Sequence, residues 1–344
     1  MKKIIIIICG IALGIFILGF LYFLSVTIKA EKEVAKYTEA AVAAWEARPI
    51  WKKKIQTTQD LKLGIITDTH VHPTRINRDD RSDDAPRQLK DKDALPIKNF
   101  VAQMALFQPD AIMHLGDVIE GTGDEDYVGI TGIKLVRDEI EKVGVPIHWA
   151  IGNHDLRSVT KEQFQEALSL QGVEQVFDIG DYRFIFLDAN YDQDDNSRTP
   201  VDHRYIRGHV ALHSIEWLRE QLTTDKRVVV FLHHGVFLED TPGDLKEDSI
   251  VSKMKQSIDN ANDIRDLLKE YRVDGLFNGH MEARQYEEEG LMHYYSLTGT
   301  KKSEMYPQSY YELTLTDGQS DLTMYYTDPM SGEQNVIDFE DDPK

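Results

Sequence analysis

Cysteine is almost absent: the 344-residue chain has one, Cys9. A single thiol excludes an internal disulfide, a CxxC redox pair and a cysteine-based zinc site. Basic side chains are scarce beside acidic ones, 39 against 59, for a net charge of −20. That balance argues against a general basic surface for gripping nucleic acid, and no nucleic-acid partner is expected. It leaves room for a small anionic substrate held through metal ions. Beyond the N-terminus no apolar run is long enough to span a bilayer, which excludes a polytopic membrane protein. There is no GxSxG elbow, P-loop, internal repeat, Gly/Ser linker or low-complexity block. With 41% hydrophobic and 28% charged residues, the chain reads as an ordinary folded protein whose core needs no disulfide framework.

What is present begins with Ile4 to Ile28, 25 residues without a charged side chain. As a helix this stretch exceeds the roughly 30 Å hydrocarbon core of a bilayer. It also exceeds a signal-peptide apolar region and lacks a convincing small-x-small cleavage site after Phe23. Residues 1–30 are therefore expected to be an uncleaved, single-pass membrane anchor. The short head and long following chain suggest that the bulk of the chain lies outside the cytoplasm. Residues 31–59 read as a stalk helix and linker, with Val34, Tyr37, Ala41 and Trp45 at helical spacing and Pro49 as the stop. One domain is expected over 60–327 and an acidic, frayed tail over 328–344.

Within that domain, apolar runs alternate with helical patterns. Strands are expected at 61–67, 111–115, 147–151, 182–187, 227–232 and 273–277. Helices are expected near 93–107, 126–142, 160–170, 212–223 and 260–271. After residue 283 only strand patterns follow. Alternation first and strands last predict an α/β layered domain with mixed sheets.

Five of the apolar runs end in residues able to bind metal. The first is followed by Asp68 and His70, the second by Asp117, and the third by Asn153, His154 and Asp155. The run 227–232 is followed by His233 and His234, and the last by His280 and Glu282. In open α/β sheets, ligands bind at the carboxyl ends of strands. An i, i+2 spacing in extended backbone would put Asp68 and His70, or His280 and Glu282, on one face. Gly116, Gly152 and Gly279 precede three of these residues and allow a sharp turn and close backbone approach. Each fragment alone is weak, since Asp caps turns and a lone His is usually structural. The ordered series points to a shared metal site.

The series D-x-H, G-D, G-N-H-D, H and G-H-x-E resembles the calcineurin-like metallophosphoesterase superfamily, which includes purple acid phosphatases, protein phosphatases and bacterial cyclic-nucleotide phosphodiesterases. The resemblance runs from about residue 61 to about 300. It implies a four-layer α/β/β/α sandwich and two divalent metal ions. Asp68 and His70 would hold the first metal, Asp117 would bridge, and Asn153, His233 and His280 would hold the second. His154 would contact the substrate phosphate and protonate the leaving group, with Asp155 orienting it. The family usually has His where this chain has Glu282. An oxygen donor there shifts preference among Mn, Fe and Zn toward Mn. The implied activity is hydrolysis of phosphomono- or diesters, the nucleophile being a metal-bound hydroxide. The alternative is a catalytically weakened binding or scaffolding protein on the same fold. Arg75, Arg78, Arg81 and Arg87 lie in a charged insertion that either rims the pocket or is a solvated loop. The connection 236–258 is a possible lid. The acidic run Asp192, Asp194, Asn196 lacks the Gly and Glu of a calcium loop, and His203, His209 and His213 read as surface or packing residues. The partner expected is a small phosphorylated molecule, and the sequence sets no oligomeric state.

Overall fold

The computed structural model describes residues 60–77, 82, 85–122, 126–200, 207–237, 257–301, 306–317 and 319–340. The expected anchor (1–30) and stalk (31–59) lie outside the described residues, as do Arg78, Arg81, His203 and most of the 236–258 connection. Among the described residues no helix is long and apolar enough to cross a membrane.

In chain order the first elements are β1 (Leu61–Ile66), β2 (Thr74–Arg75), β3 (Arg87–Gln88), α1 (Asp91–Phe107), β4 (Ala111–His114), α2 (Asp126–Ile140) and β5 (Ile147–Trp149). Next come α3 (Lys161–Leu168), β6 (Gln175–Ile179), β7 (Tyr182–Leu187), α4 (Leu212–Leu222), β8 (Arg227–Leu232), α5 (Ala261–Glu270) and β9 (Gly275–Asn278). The chain ends in β10 (Gln285–Glu289), β11 (Met292–Ser296), β12 (Tyr310–Thr316), β13 (Gln319–Thr327) and β14 (Gln334–Asp338).

Two mixed sheets result, ordered β14-β13-β12-β1-β4-β5 and β10-β11-β9-β8-β7-β6. β1, β4 and β5 run parallel at one side of the first sheet, and β7, β8 and β9 run parallel in the middle of the second. Period-two alternation explains the layering. Tyr182, Phe184 and Phe186 of β7 and Val229 and Phe231 of β8 enter a central cluster with Leu63 and Ile65 of β1 and Leu313 of β12. That cluster contains both sheets, so they pack face to face. Ile185 and Leu187, with Val228, Val230 and Leu232, point the other way onto Leu218 of α4 and Ile264 and Leu268 of α5. On the first sheet, Ile66 and Ile112 meet Phe100 of α1, Ile133 of α2 and Phe164 of α3. The layers are therefore helix, sheet, sheet, helix, with the parallel strands of both sheets delivering their carboxyl ends to one rim.

Two local features seat the helices of the first sheet. Gly64 lets α1 lie close on β1, because a Cβ there would sit 2.3 Å from Met104 Sδ. Thr160 and Gln163 form a capping box that starts α3 directly after the loop leaving β5.

The C-terminal tail departs from expectation. Residues 328–340 are folded rather than frayed: β14 pairs antiparallel with β13, from Thr327↔Gln334 to Thr323↔Asp338. The polar run QNVID conceals its strand because it lies at a sheet edge with half its side chains in solvent. Phe339 provides the anchor. Its ring is buried against Tyr295 and Tyr311, and Arg284 donates two hydrogen bonds to its carbonyl oxygen.

Candidate metal centre

The motif residues leave their strands through strained turns. Asp68 (φ 51), His70 (φ 40), Asp117 (φ 50), His280 (φ 63) and Glu282 (φ 48) all occupy the left-handed region. For residues with a Cβ this costs roughly 1 kcal/mol or more each, and such strain persists where the surroundings over-determine it. The expectation of an extended i, i+2 pair is therefore corrected: both pairs converge through left-handed turns rather than on the face of a pleat. Backbone pairing holds adjacent loops together, with Asp68 N–H donating to Gly116 O (3.1 Å) and His70 N–H to Asp117 O (2.9 Å). Gly116, at φ +95, needs the freedom of glycine, whereas Gly152 and Gly279 are small for lack of space. A Cβ at Gly152 would fall 2.2 Å from Asp117 Oδ1, and one at Gly279 would fall 2.5 Å from Asp68 Oδ2.

Two donor groups share one carboxylate. His70 Nε2 lies 3.7 Å from Asp68 Oδ1 and 3.4 Å from Glu282 Oε1. It also lies 3.5 Å from Asp117 Oδ2. The other Asp117 oxygen, Oδ1, lies 3.3 Å from His233 Nε2, which is itself 3.2 Å from Asn153 Oδ1. Potential ligand atoms of Asp68, His70 and Glu282 all lie within 4.8 Å of one another, as do those of Asp117, His233 and His280. All seven residues read from the sequence as metal ligands thus come together, and Glu282 stands beside Asp68 and His70. Thr67 Oγ1 (2.6 Å) and the His280 backbone N–H (3.2 Å) donate to Asp68, and Leu115 O lies 2.8 Å from His233 Nδ1.

The charges call for compensation. Asp68 and Asp117 are buried, and the neighbouring imidazoles, despite that burial, hold both carboxyls below their ordinary range. Burial opposes charge on His70 and His233, yet the surrounding carboxylates push each up to about 9. Asp117 contributes most in both cases. Burial, helped by the charge on His233, takes His280 down to about 3 and leaves it a neutral donor. Both nitrogens of His70 and Nε2 of His280 are buried without a hydrogen-bond partner. Buried carboxylates and unpartnered imidazole nitrogens aimed at one place form a donor set that a pair of divalent cations fits.

His154 sits against this set, its ring 4.5 Å from that of His70 in an edge-to-face arrangement. Its backbone N–H donates to Asp117 Oδ1 (2.7 Å). Asp155 plays a different part from the one expected. Its carboxylate accepts from Ile119 N–H (3.1 Å) and Gly152 N–H (2.9 Å) and does not reach His154. The short turn Asp155–Arg157 directs the carboxylate under the loop, where it ties the strand β5 exit to the β4 exit. Burial, then Asp117, pushes it up to about 7 against those two amides. His154 Nδ1 instead faces Glu120 O and Arg157 Nη1, each 2.7 Å away, and Glu120 Oε1 at 3.6 Å.

Glu120 is not singled out by the sequence pattern. Its carboxylate also lies 3.5 Å from His70 Nδ1, so it stands between His70 and His154. The trio His70, Glu120 and His154 has donor atoms close enough for a cation, but Arg157 and Lys301 already bring positive charge to it. Its only sequence signal is position, three residues after Asp117.

Other sequence candidates resolve simply. Asp192 Oδ1 accepts from the N–H groups of Asp194 and Asn196 (both 2.9 Å), closing its own turn. His209 lies between Asp259 and Asp195, and His213 meets Tyr191. Arg75 and Arg87 stand opposite each other in the β2/β3 pair, and Arg87 donates to Tyr127 Oη (2.7 Å).

The sequence model of one family, described as calcineurin-like phosphoesterase, matches residues 61–281. No curated protein matches the chain in sequence. Among solved structures, a dimetal phosphatase from Danio rerio superposes with a TM-score of 0.56 at 17% identity, covering 81% of this chain and 99% of the other. A purple acid phosphatase from yellow lupin (Lupinus luteus) seeds gives 0.47 at 12% identity, covering 81% of this chain and 54% of that one. At such identities the first likeness is one of fold.

Proposed function

This chain belongs to the calcineurin-like phosphoesterase family, and from that premise we propose that it is a metal-dependent phosphoric ester hydrolase acting on a small phosphorylated substrate. The observation that carries the reading is the position of Asp117, whose two oxygens face two separate donor groups, through His70 on one side and His233 on the other. A pair of divalent cations, where bound there, would supply Lewis acidity toward a phosphoryl group and water.

The chain's own residues do the rest. Asp68, His70 and Glu282 would hold one cation and Asn153, His233 and His280 the other, with Asp117 shared. Glu282 makes the first group richer in oxygen, which favours Mn²⁺. His154 would protonate the leaving oxygen. Its Nδ1 is turned to the Glu120 carbonyl, so the transfer falls to Nε2. Asp155 fixes the loop carrying Asn153 and His154 by taking the amides of Gly152 and Ile119. Ile4 to Ile28 would tether the enzyme to a membrane, with the domain outside the cytoplasm.

A second reading, a weakened phosphoesterase serving as a binding or scaffolding protein, is favoured by Glu282 in place of the family's usual His. One experiment separates the two. The full chain in detergent is stripped with chelator, and Mn²⁺, Zn²⁺, Fe²⁺ or Mg²⁺ is restored singly. Hydrolysis of a chromogenic phosphodiester and monoester is then followed, with Asp117→Asn as control. Metal-restored turnover absent from the control supports the hydrolase. Metal binding without turnover for any ion supports the binding protein.

A further inference from the structure

We propose that His114 is a positioning residue that holds the metal-bearing loops of the first sheet in register; the inference rests on the metal-centre reading above.

His114 ends β4 three residues before Asp117 and is wholly buried. Its ring meets two motif segments and the strand that leads to a third. Thr69, between Asp68 and His70, has its Oγ1 3.2 Å from His114 Nε2. The Gly116 backbone N–H, next to Asp117, points at His114 Nδ1 (3.3 Å). Trp149, on the strand leading to Asn153, stacks on the ring at 4.9 Å and 23°.

The proton positions follow from counting donors. Thr69 Oγ1 has one hydrogen and donates it to Val118 O (2.8 Å). Toward His114 it can only accept, so Nε2 carries the imidazole proton. Nδ1 is left with a lone pair, which is what the Gly116 N–H requires. The two contacts thus demand the same neutral tautomer. Burial, the largest influence, takes the group down to about 3, which keeps it neutral. A ring needed only for bulk would not have both nitrogens matched in this way. The relay runs Gly116 N–H to His114, His114 to Thr69, and Thr69 to Val118 O. It crosses between the two loops that carry Asp68, His70 and Asp117, and none of its members is a metal donor. Partners of this kind, one step behind the ligands, commonly set metal affinity.

The test uses the full chain in detergent, stripped of metal, with Mn²⁺ binding followed by calorimetry. Thr69→Val and His114→Phe are each expected to weaken Mn²⁺ binding about 10–100-fold, while Thr69→Ser retains wild-type affinity. Because both act through one relay, the double variant is expected to be no weaker than the poorer single. Thr69→Val removes one hydroxyl at constant volume, so the proposal stays testable even if His114→Phe does not fold. ¹⁵N imidazole NMR is expected to show His114 protonated on Nε2. Wild-type Mn²⁺ affinity in Thr69→Val, or a proton on Nδ1, overturns the relay. A wild-type chain that takes up no divalent cation overturns the metal-centre reading instead, and the tautomer measurement still judges the relay.

Discussion

Gly152→Ala tests the site at its tightest contact. The added methyl carbon would lie 2.2 Å from Asp117 Oδ1 and 2.3 Å from Asp117 N, with Asp117 Cγ at 2.9 Å. Ordinary contact begins near 3.4 Å, so the carboxylate or the loop must move by about 1 Å. Asp117 Oδ1 is the atom that accepts from His154 N–H and faces His233, so the displacement falls on the carboxylate that both donor groups face. Overpacking of this kind costs roughly 1–3 kcal/mol of stability. The effect on function should be larger, since a misplacement of about 1 Å at a reacting centre costs on the order of 100-fold in rate. Calorimetry should find the second Mn²⁺ weakened or lost, and turnover should fall about 100-fold. Gly172→Ala is a milder control away from the motif residues, its added carbon meeting Glu174 O at 3.2 Å and Glu174 N at 4.0 Å. Two ions bound with wild-type affinity and wild-type turnover in Gly152→Ala would refute the geometry.

Three further outcomes are expected. His70 and His233 reach about 9 in the metal-free chain, so a cation must displace protons from both below that pH. Apparent metal affinity should rise with pH between 7 and 9 and flatten above, with about two protons released as calorimetry in two buffers reads it; a flat profile contradicts the assignment. His148, stacked on Phe177 at 3.4 Å, is lowered by burial to about 4. Below its unfolded pKa the unfolded chain takes a proton the folded chain refuses, so this contribution is complete above about pH 6.5 and is lost as pH falls toward 4, by at most about 3 kcal/mol. His148→Phe should therefore lose less stability than wild type between pH 7 and 4.5 in urea titrations, and equal losses would contradict this. Lys161 and Asp188 form a buried ion pair at 2.5 Å, and Asp188 also takes two N–H groups of Asn190, whose side chain donates to Ile151 O before the Asn153 loop. Lys161→Met strands the carboxylate and should cost roughly 3–5 kcal/mol, so a loss under about 1 kcal/mol in urea unfolding would show the pair to be solvated.

Much of the fold is legible along the chain because burial writes itself as period two. RVVVFL and YRFIFL place large side chains alternately in the central and outer clusters, and each such run lies in a fully covered strand. β6 and β14 escape notice because they are edge strands, half in solvent, and take their identity from the neighbour they pair with. The candidate metal donors are legible because each follows a strand end, and one rim gathers them. Left-handed turns at Asp68 and His280 carry no such signature, since Asp and His accept that conformation without requiring it. The supporting residues are the least legible. Glu120, His114 and the carboxylate of Asp155 act on loops that folding alone brings near, such as Thr69 beside His114, and no local pattern announces them.

The central claim is a pair of cations joined through Asp117, and electron paramagnetic resonance of Mn²⁺ added to the stripped full chain tests it most directly. Two equivalents per chain should give an exchange-coupled spectrum in the wild type, and Asp117→Asn should show only isolated ions. One ion per chain, or two uncoupled ions in the wild type, would contradict the account.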